Sequence, residues 1–83
     1  MTPRDVSELT ERVRLNRHGT TFADLKRLLE AAGFEMHPQN GGTHRAFCKP
    51  GCFTSPTIPE GRGPVKVAYV SNVLRAVKEC GDD

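Results

Sequence analysis

Apolar residues recur at helical spacing at the start of the chain: Val6, Leu9 and Val13 stand three and four positions apart, with Glu8, Glu11 and Arg12 between them. This spacing predicts a short amphipathic helix over residues 4–15 with a narrow apolar stripe, interrupted by residues 16–19. A stronger pattern follows. Phe22, Leu25, Leu28, Leu29 and Ala32 share one helical face, while Lys26, Arg27 and Glu30 face water. Thr21 is a good N-cap and Asp24 stands where a capping-box partner belongs. Gly33 closes the helix in a left-handed conformation.

The period then changes from 3.6 to 2. Phe34, Met36 and Pro38 alternate with Glu35 and His37, which predicts a short strand with its first set inward. Residues 39–42 read as a turn, 43–48 as a second strand, and 49–51 (KPG) as another turn. A third strand is expected over residues 52–58, at a sheet edge because Pro56 cannot donate to a ladder. Residues 60–64 are a Gly/Pro loop. Val67, Val70, Val73, Leu74 and Val77 then predict a terminal helix to about Cys80, held by packing more than by propensity. The order is helix, helix, three-stranded meander, helix. This is an α+β arrangement with helices on one sheet face and the other face open.

Eighty-three residues suffice for one domain, here 1–83, with residues 1–19 as a helical extension and 20–80 as the core. A core this small leaves no room for a deep metabolite pocket, so a polymer lying across the surface is the better-fitting ligand. Overall charge is +2, but residues 38–78 carry six basic side chains against Glu60 alone, a local +5. Such a field favours a polyanion such as RNA. Three cysteines, with no signal peptide and no apolar run of spanning length, suggest a cytoplasmic chain with reduced thiols.

Within the positive segment the stretch NGGTHRAF stands out. With Phe47 facing the helices, His44 falls on the opposite, open face beside the Gly41–Gly42 loop. Loop N–H groups there suit an anion, and Arg45 and Lys49 are near in sequence. Imidazole takes and gives protons near neutral pH. RNA carries its own nucleophile, the 2′-hydroxyl, so one histidine beside phosphate-binding groups suffices to assist strand cleavage.

These segments together resemble the HicA toxin family: TFADLKRLLEAAGF at 21–34, GGTH at 41–44, RAF at 45–47, a Thr-Ile-Pro strand end at 57–59 and a terminal helix. The likeness covers roughly residues 20–78, and the Gly-Thr-His match to the family's Gly-Ser/Thr-His motif is its specific part. The resemblance implies a double-stranded-RNA-binding-domain-like fold and cleavage of messenger RNA, with no metal or small-molecule cofactor. It implies His44 as the catalytic histidine and neutralisation by a HicB-type antitoxin that covers the active site. Free toxin of this kind arrests translation and growth. Gly41, Gly42, Thr43, Arg45, Lys49 and Lys66 are the expected RNA-phosphate contacts. The chain departs from the family at two places: Arg45 stands where many members carry a second histidine, and Glu60-Gly61 where many carry an Arg-His pair.

Other features read more plainly. Cys48 and Cys52 flank the KPG turn and are expected to face each other across the hairpin. A zinc set of His44, Cys48, Cys52 and Cys80 is disfavoured, since four residues of strand separate His44 from Cys48 by about 13 Å. His18 and His37 are expected at the surface. Arg62 lies with Lys66 in the loop before the last helix, and Tyr69 is placed either to stack on a base or to pack beside that helix. Besides a ribonuclease, the chain is readable as a non-catalytic RNA-binding module of the same fold, or as a domain that binds only a partner protein.

Overall fold

The chain forms α1 (Pro3–Leu15), α2 (Phe22–Ala31), β1 (Glu35–Met36), β2 (His44–Cys48), β3 (Thr57–Pro59) and α3 (Val67–Cys80). This is seen in a computed structural model that describes residues 3–37 and 42–80, with side chains from Val6 onward. It is a small α+β arrangement of three helices and a three-stranded antiparallel sheet in the order β1-β2-β3. Among the described residues no helix is long and apolar enough to cross a membrane.

Both ends of α2 are set locally. The Thr21 hydroxyl accepts from the Asp24 N–H at 3.3 Å, and the Asp24 carboxylate accepts from the Thr21 N–H at 3.1 Å, which completes a capping box. At the other end Gly33 has φ of 97°. The Gly33 N–H donates to the Glu30 carbonyl and the Phe34 N–H to the Leu29 carbonyl. This paired pattern is the Schellman motif. It takes Phe34 out of the expected first strand and buries it as part of the helix end, at 2% exposure.

The strands are shorter than the alternation suggests. β1 holds only Glu35 and Met36, paired with Cys48 and Phe47. Met36 shares the face of Phe47 but remains 38% exposed, so its expected burial fails at this edge. Pro38 and most of the 39–42 turn lie outside the described residues. The third strand starts at Thr57 rather than at Cys52. Before it, the chain bonds to β2 irregularly: the Phe47 N–H donates to the Pro56 carbonyl at 2.9 Å, and the Ser55 hydroxyl donates to the Phe47 carbonyl at 2.8 Å. Phe53, expected in that strand, projects fully into solvent. Pro59 ends β3, which is an edge strand, while Pro56 stands just before it.

Phe47 and Ile58, both fully buried, carry the sheet side of the core. They join Phe22, Leu25, Leu28 and Leu29 of α2 and Val70, Val73, Ala76 and Val77 of α3 in one hydrophobic cluster. Phe22 and Phe47 meet with ring centroids 6.3 Å apart. Full burial of a large apolar side chain, as at Leu25, Phe47 and Ile58, contributes on the order of 1.5–3 kcal/mol. Val6 and Val13 of α1 enter the same cluster. The N-terminal helix therefore completes the core rather than standing outside it.

The expectation of reduced thiols fails for two of the three cysteines. Cys52 is bonded to Cys80, with Cα atoms 5.9 Å apart, and Cys48 is the free cysteine. The turn after Lys49 carries Cys52 away from β2 towards the end of α3, so Cys48 and Cys52 do not face each other. Cys48 Sγ instead lies 2.8 Å from His37 Nε2. Next to the disulfide, the Thr54 hydroxyl donates to the Glu79 carboxylate at 2.7 Å. That hydrogen bond, with a second from Arg75, holds the Glu79 carboxyl below its ordinary pKa.

The disulfide closes a separation of 28 residues, which in the chain-entropy account is worth roughly 3.5 kcal/mol. Reduction, or Cys80→Ser, is expected to lower the melting temperature by roughly 15 °C in calorimetry. Because the folded Glu79 pKa is depressed, its contribution is present above the ordinary carboxylate range and lost as pH falls through the folded value. Thr54→Val should move the Glu79 carboxyl titration upward, read by carbon-detected NMR.

Candidate nucleic-acid site

The site is built where the start of β2, the end of β3 and the start of α3 converge. Gly42, directly before it, has φ of 70°, in the left-handed region where side chains other than glycine are strained. Nothing lies within 4 Å of a Cβ placed there, so the requirement for glycine is conformational rather than one of space. Thr43 and His44 are exposed. His44 pairs with Pro59 across the sheet.

The imidazole is solvent-exposed, though its surroundings differ from an open sheet face. It lines a cleft of about 380 Å³ with Pro59, Glu60, Lys66 and Tyr69. The His44 and Tyr69 rings stand 6.4 Å apart at an interplanar angle of 56°. Lys66, exposed, precedes α3 and supplies the carbonyl that accepts the Tyr69 N–H at 3.0 Å. The cleft is thus bordered by the N-terminal end of a helix, where the dipole and the unpartnered first N–H groups favour negative charge.

The loop between β3 and α3 is fixed at both ends. At its start the Glu60 N–H donates to the Thr43 carbonyl at 2.6 Å, and the Glu60 carboxylate meets Arg45 at 3.0 Å. At its end the Val65 N–H donates to the Thr20 carbonyl at 2.8 Å, and Thr21 and Pro64 form an isolated bridge. Thr20 is buried, its hydroxyl donating to the Asn16 carbonyl at 2.7 Å. Thr20 and Glu60 thus position the cleft wall. Neither role is visible in the sequence: Thr20 carries no local signal, and Glu60 stands only as a departure from a basic pair.

The expected phosphate contacts divide into two groups. Lys66 shares the cleft with His44, while Gly42 and Thr43 adjoin it in the chain. Arg45 is on the face of Ile58, its residue partner across the sheet. Its guanidinium donates to the Gly42 carbonyl at 3.0 Å and pairs with Glu60, so it braces the loop. Lys49 is at the far end of β2 and departs further from expectation. Its ammonium donates to the Ala32 carbonyl at 2.9 Å and to the Cys80 carbonyl. It lies against Gly33, where its Cε is 3.1 Å from the position of a Cβ. Lys49 therefore caps the C-termini of α2 and α3 together, where the helix dipoles favour a cation, and is not a cleft residue. Gly41 lies outside the described residues.

Arg62 is exposed on the loop but does not line the cleft. His18 and His37 are exposed, as expected. Among the described residues no group of three or more His, Cys, Asp or Glu side chains is placed to hold a metal ion. No protein-family model, no curated protein and no solved structure matches the chain.

Lys49→Met should cost about 1.5–3 kcal/mol, the worth of hydrogen bonds made by a charged group. Lys66→Gln should change stability by less than about 0.5 kcal/mol, as befits an exposed side chain. Urea unfolding of the two variants separates the structural lysine from the cleft lysine.

Proposed function

We propose that this chain is the toxin of a type II toxin–antitoxin system, a HicA-type endoribonuclease with a double-stranded-RNA-binding-domain-like fold that cleaves messenger RNA. The reading makes His44 the catalytic residue, the antitoxin a HicB-type protein that covers the cleft, and the site of action the cytoplasm, with no metal or small-molecule cofactor needed. The observation that carries it is the exposure of His44 at a cleft shared with Lys66 and bordered by the start of α3.

As a base, His44 removes the 2′-hydroxyl proton. The 2′-oxygen then attacks the adjacent phosphorus and the bond to the 5′-oxygen breaks, with water protonating the leaving oxygen. As an acid, it gives its proton to that 5′-oxygen while water takes the 2′-hydroxyl proton. Either course ends in a 2′,3′-cyclic phosphate and a free 5′-hydroxyl. Lys66 and the α3 N-terminus stabilise charge gathering on the phosphate oxygens. Arg45, engaged with Glu60, keeps the loop in place and supplies no proton.

One arrangement favours the second reading, a non-catalytic RNA-binding module. The cleft contains a single imidazole, and the positions where the related toxins often carry further basic or acid–base groups hold Arg45 and Glu60, which bind each other. Incubation with end-labelled RNA in EDTA discriminates. Fragments ending in cyclic phosphate are expected, and His44→Ala should slow their appearance by roughly 100- to 10,000-fold with an unchanged circular dichroism spectrum. RNA retained without fragments would leave the binding module. A His44→Ala chain that cuts at the wild-type rate would remove His44 from the chemistry.

A further inference from the structure

Tyr69 lines a second depression besides the His44 cleft. This neighbour, of about 480 Å³, is formed by Thr54, Ser55, Thr57, Asn72 and Arg75 with Pro56. One aromatic side chain thus separates and joins two shallow basins along the seam between β3 and α3. We propose that the two basins form one track for single-stranded RNA, with Tyr69 as the stacking platform between two nucleotide subsites and Asn72 and Arg75 as the far subsite. The proposal rests on the RNA reading given above and extends it beyond the residues around His44.

The spacing on α3 supports a track. Lys66, Tyr69, Asn72 and Arg75 follow one another at intervals of three, each turned about 60° from the last, so the row winds about half-way round the helix as it advances. From Lys66 to Arg75 that row advances roughly 14 Å along the helix axis, the reach of a few nucleotides. A cation stands at each end and the ring stands between them. Tyr69 is half-buried, so its ring is held by the core while still lining both basins. A base laid on it lies beside the imidazole, because the two rings are 6.4 Å apart. Stacking on an aromatic ring needs no particular base.

The far basin suits a nucleotide better than a bare anion. The Thr54 and Ser55 hydroxyls donate to Glu79 and to the Phe47 carbonyl, so towards the basin they present acceptors. Asn72 and Arg75 bring donors, and Asn72 an acceptor as well. Arg75 is steadied at Nε by Glu79 at 3.4 Å, with its side chain 74% exposed. Mixed donors and acceptors match a ribose and a base edge, and the guanidinium matches a phosphate.

Tyr69 is the single tyrosine and the chain has no tryptophan, so its fluorescence reports this position alone. The test uses fully 2′-O-methylated RNA of mixed sequence, which lacks the nucleophile and stays intact, in lengths of about three and about ten nucleotides. Binding of the longer RNA should quench the tyrosine emission. By anisotropy, Tyr69→Leu should weaken binding roughly 5- to 100-fold. Arg75→Gln should weaken it several-fold and reduce the salt slope by about one. Both losses should be larger on the longer RNA, with circular dichroism and melting unchanged for the exposed Arg75 variant. Wild-type affinity for the longer RNA in Arg75→Gln, together with unquenched emission, would overturn the track even if Lys66→Gln weakens binding and the RNA reading stands. No affinity of the wild-type chain for either RNA would overturn both.

Discussion

The cleft exists because α3 is held at both ends. At its start, the Val65 N–H is bonded to the Thr20 carbonyl, which ties the approach to α3 to the cap of α2. At its finish, the Cys52–Cys80 bond and the Lys49 ammonium tie the last turn to the hairpin and to the end of α2. The valine-rich sequence of α3 has weak intrinsic helicity, so these anchors and the buried Val70, Val73 and Val77 must hold it. With α3 fixed, Tyr69 and Lys66 stand opposite His44. Were the helix to pivot about either end, the distance between the two rings would be the first quantity to change.

Formal charge overstates the field at this place. Of the six basic residues in the +5 segment, Lys49 is spent on two helix carbonyls, Arg45 on Glu60, and Arg75 contacts Glu79. Lys66 and the α3 N-terminus are the positive features that border the imidazole. Local geometry rather than total charge therefore decides where a phosphate would rest, and the surface ion pairs involved are each worth no more than about 1 kcal/mol.

What was legible in the residues was local. Thr21, Asp24 and Gly33 set the limits of α2 through contacts within a few positions, and the capping box and left-handed glycine both occur as read. Phe47 fixed the register of β2 and, with it, the outward placement of His44. The misreadings are non-local. The partner of Cys52 is 28 positions away, and the helix ends that Lys49 joins come together only on folding. The Phe34 alternation failed because a helix end, not a strand, claimed that residue. Of residues 52–56, Ser55 and Pro56 bond to β2, through a hydroxyl and a carbonyl, while Cys52 and Thr54 are held to α3, which a two-residue periodicity cannot anticipate.

The outer rim of β3 carries a further implication. Within β3 the outward N–H positions are Thr57 and Pro59, and Pro59 has none, while the backbone of Pro56 faces β2, where its carbonyl accepts from Phe47. β1, at the opposite rim, spans only two residues. Among the described residues both border strands are short, which gives an incoming strand little backbone to pair with. Contact of another molecule with this sheet therefore falls mainly to its side chains rather than to backbone pairing.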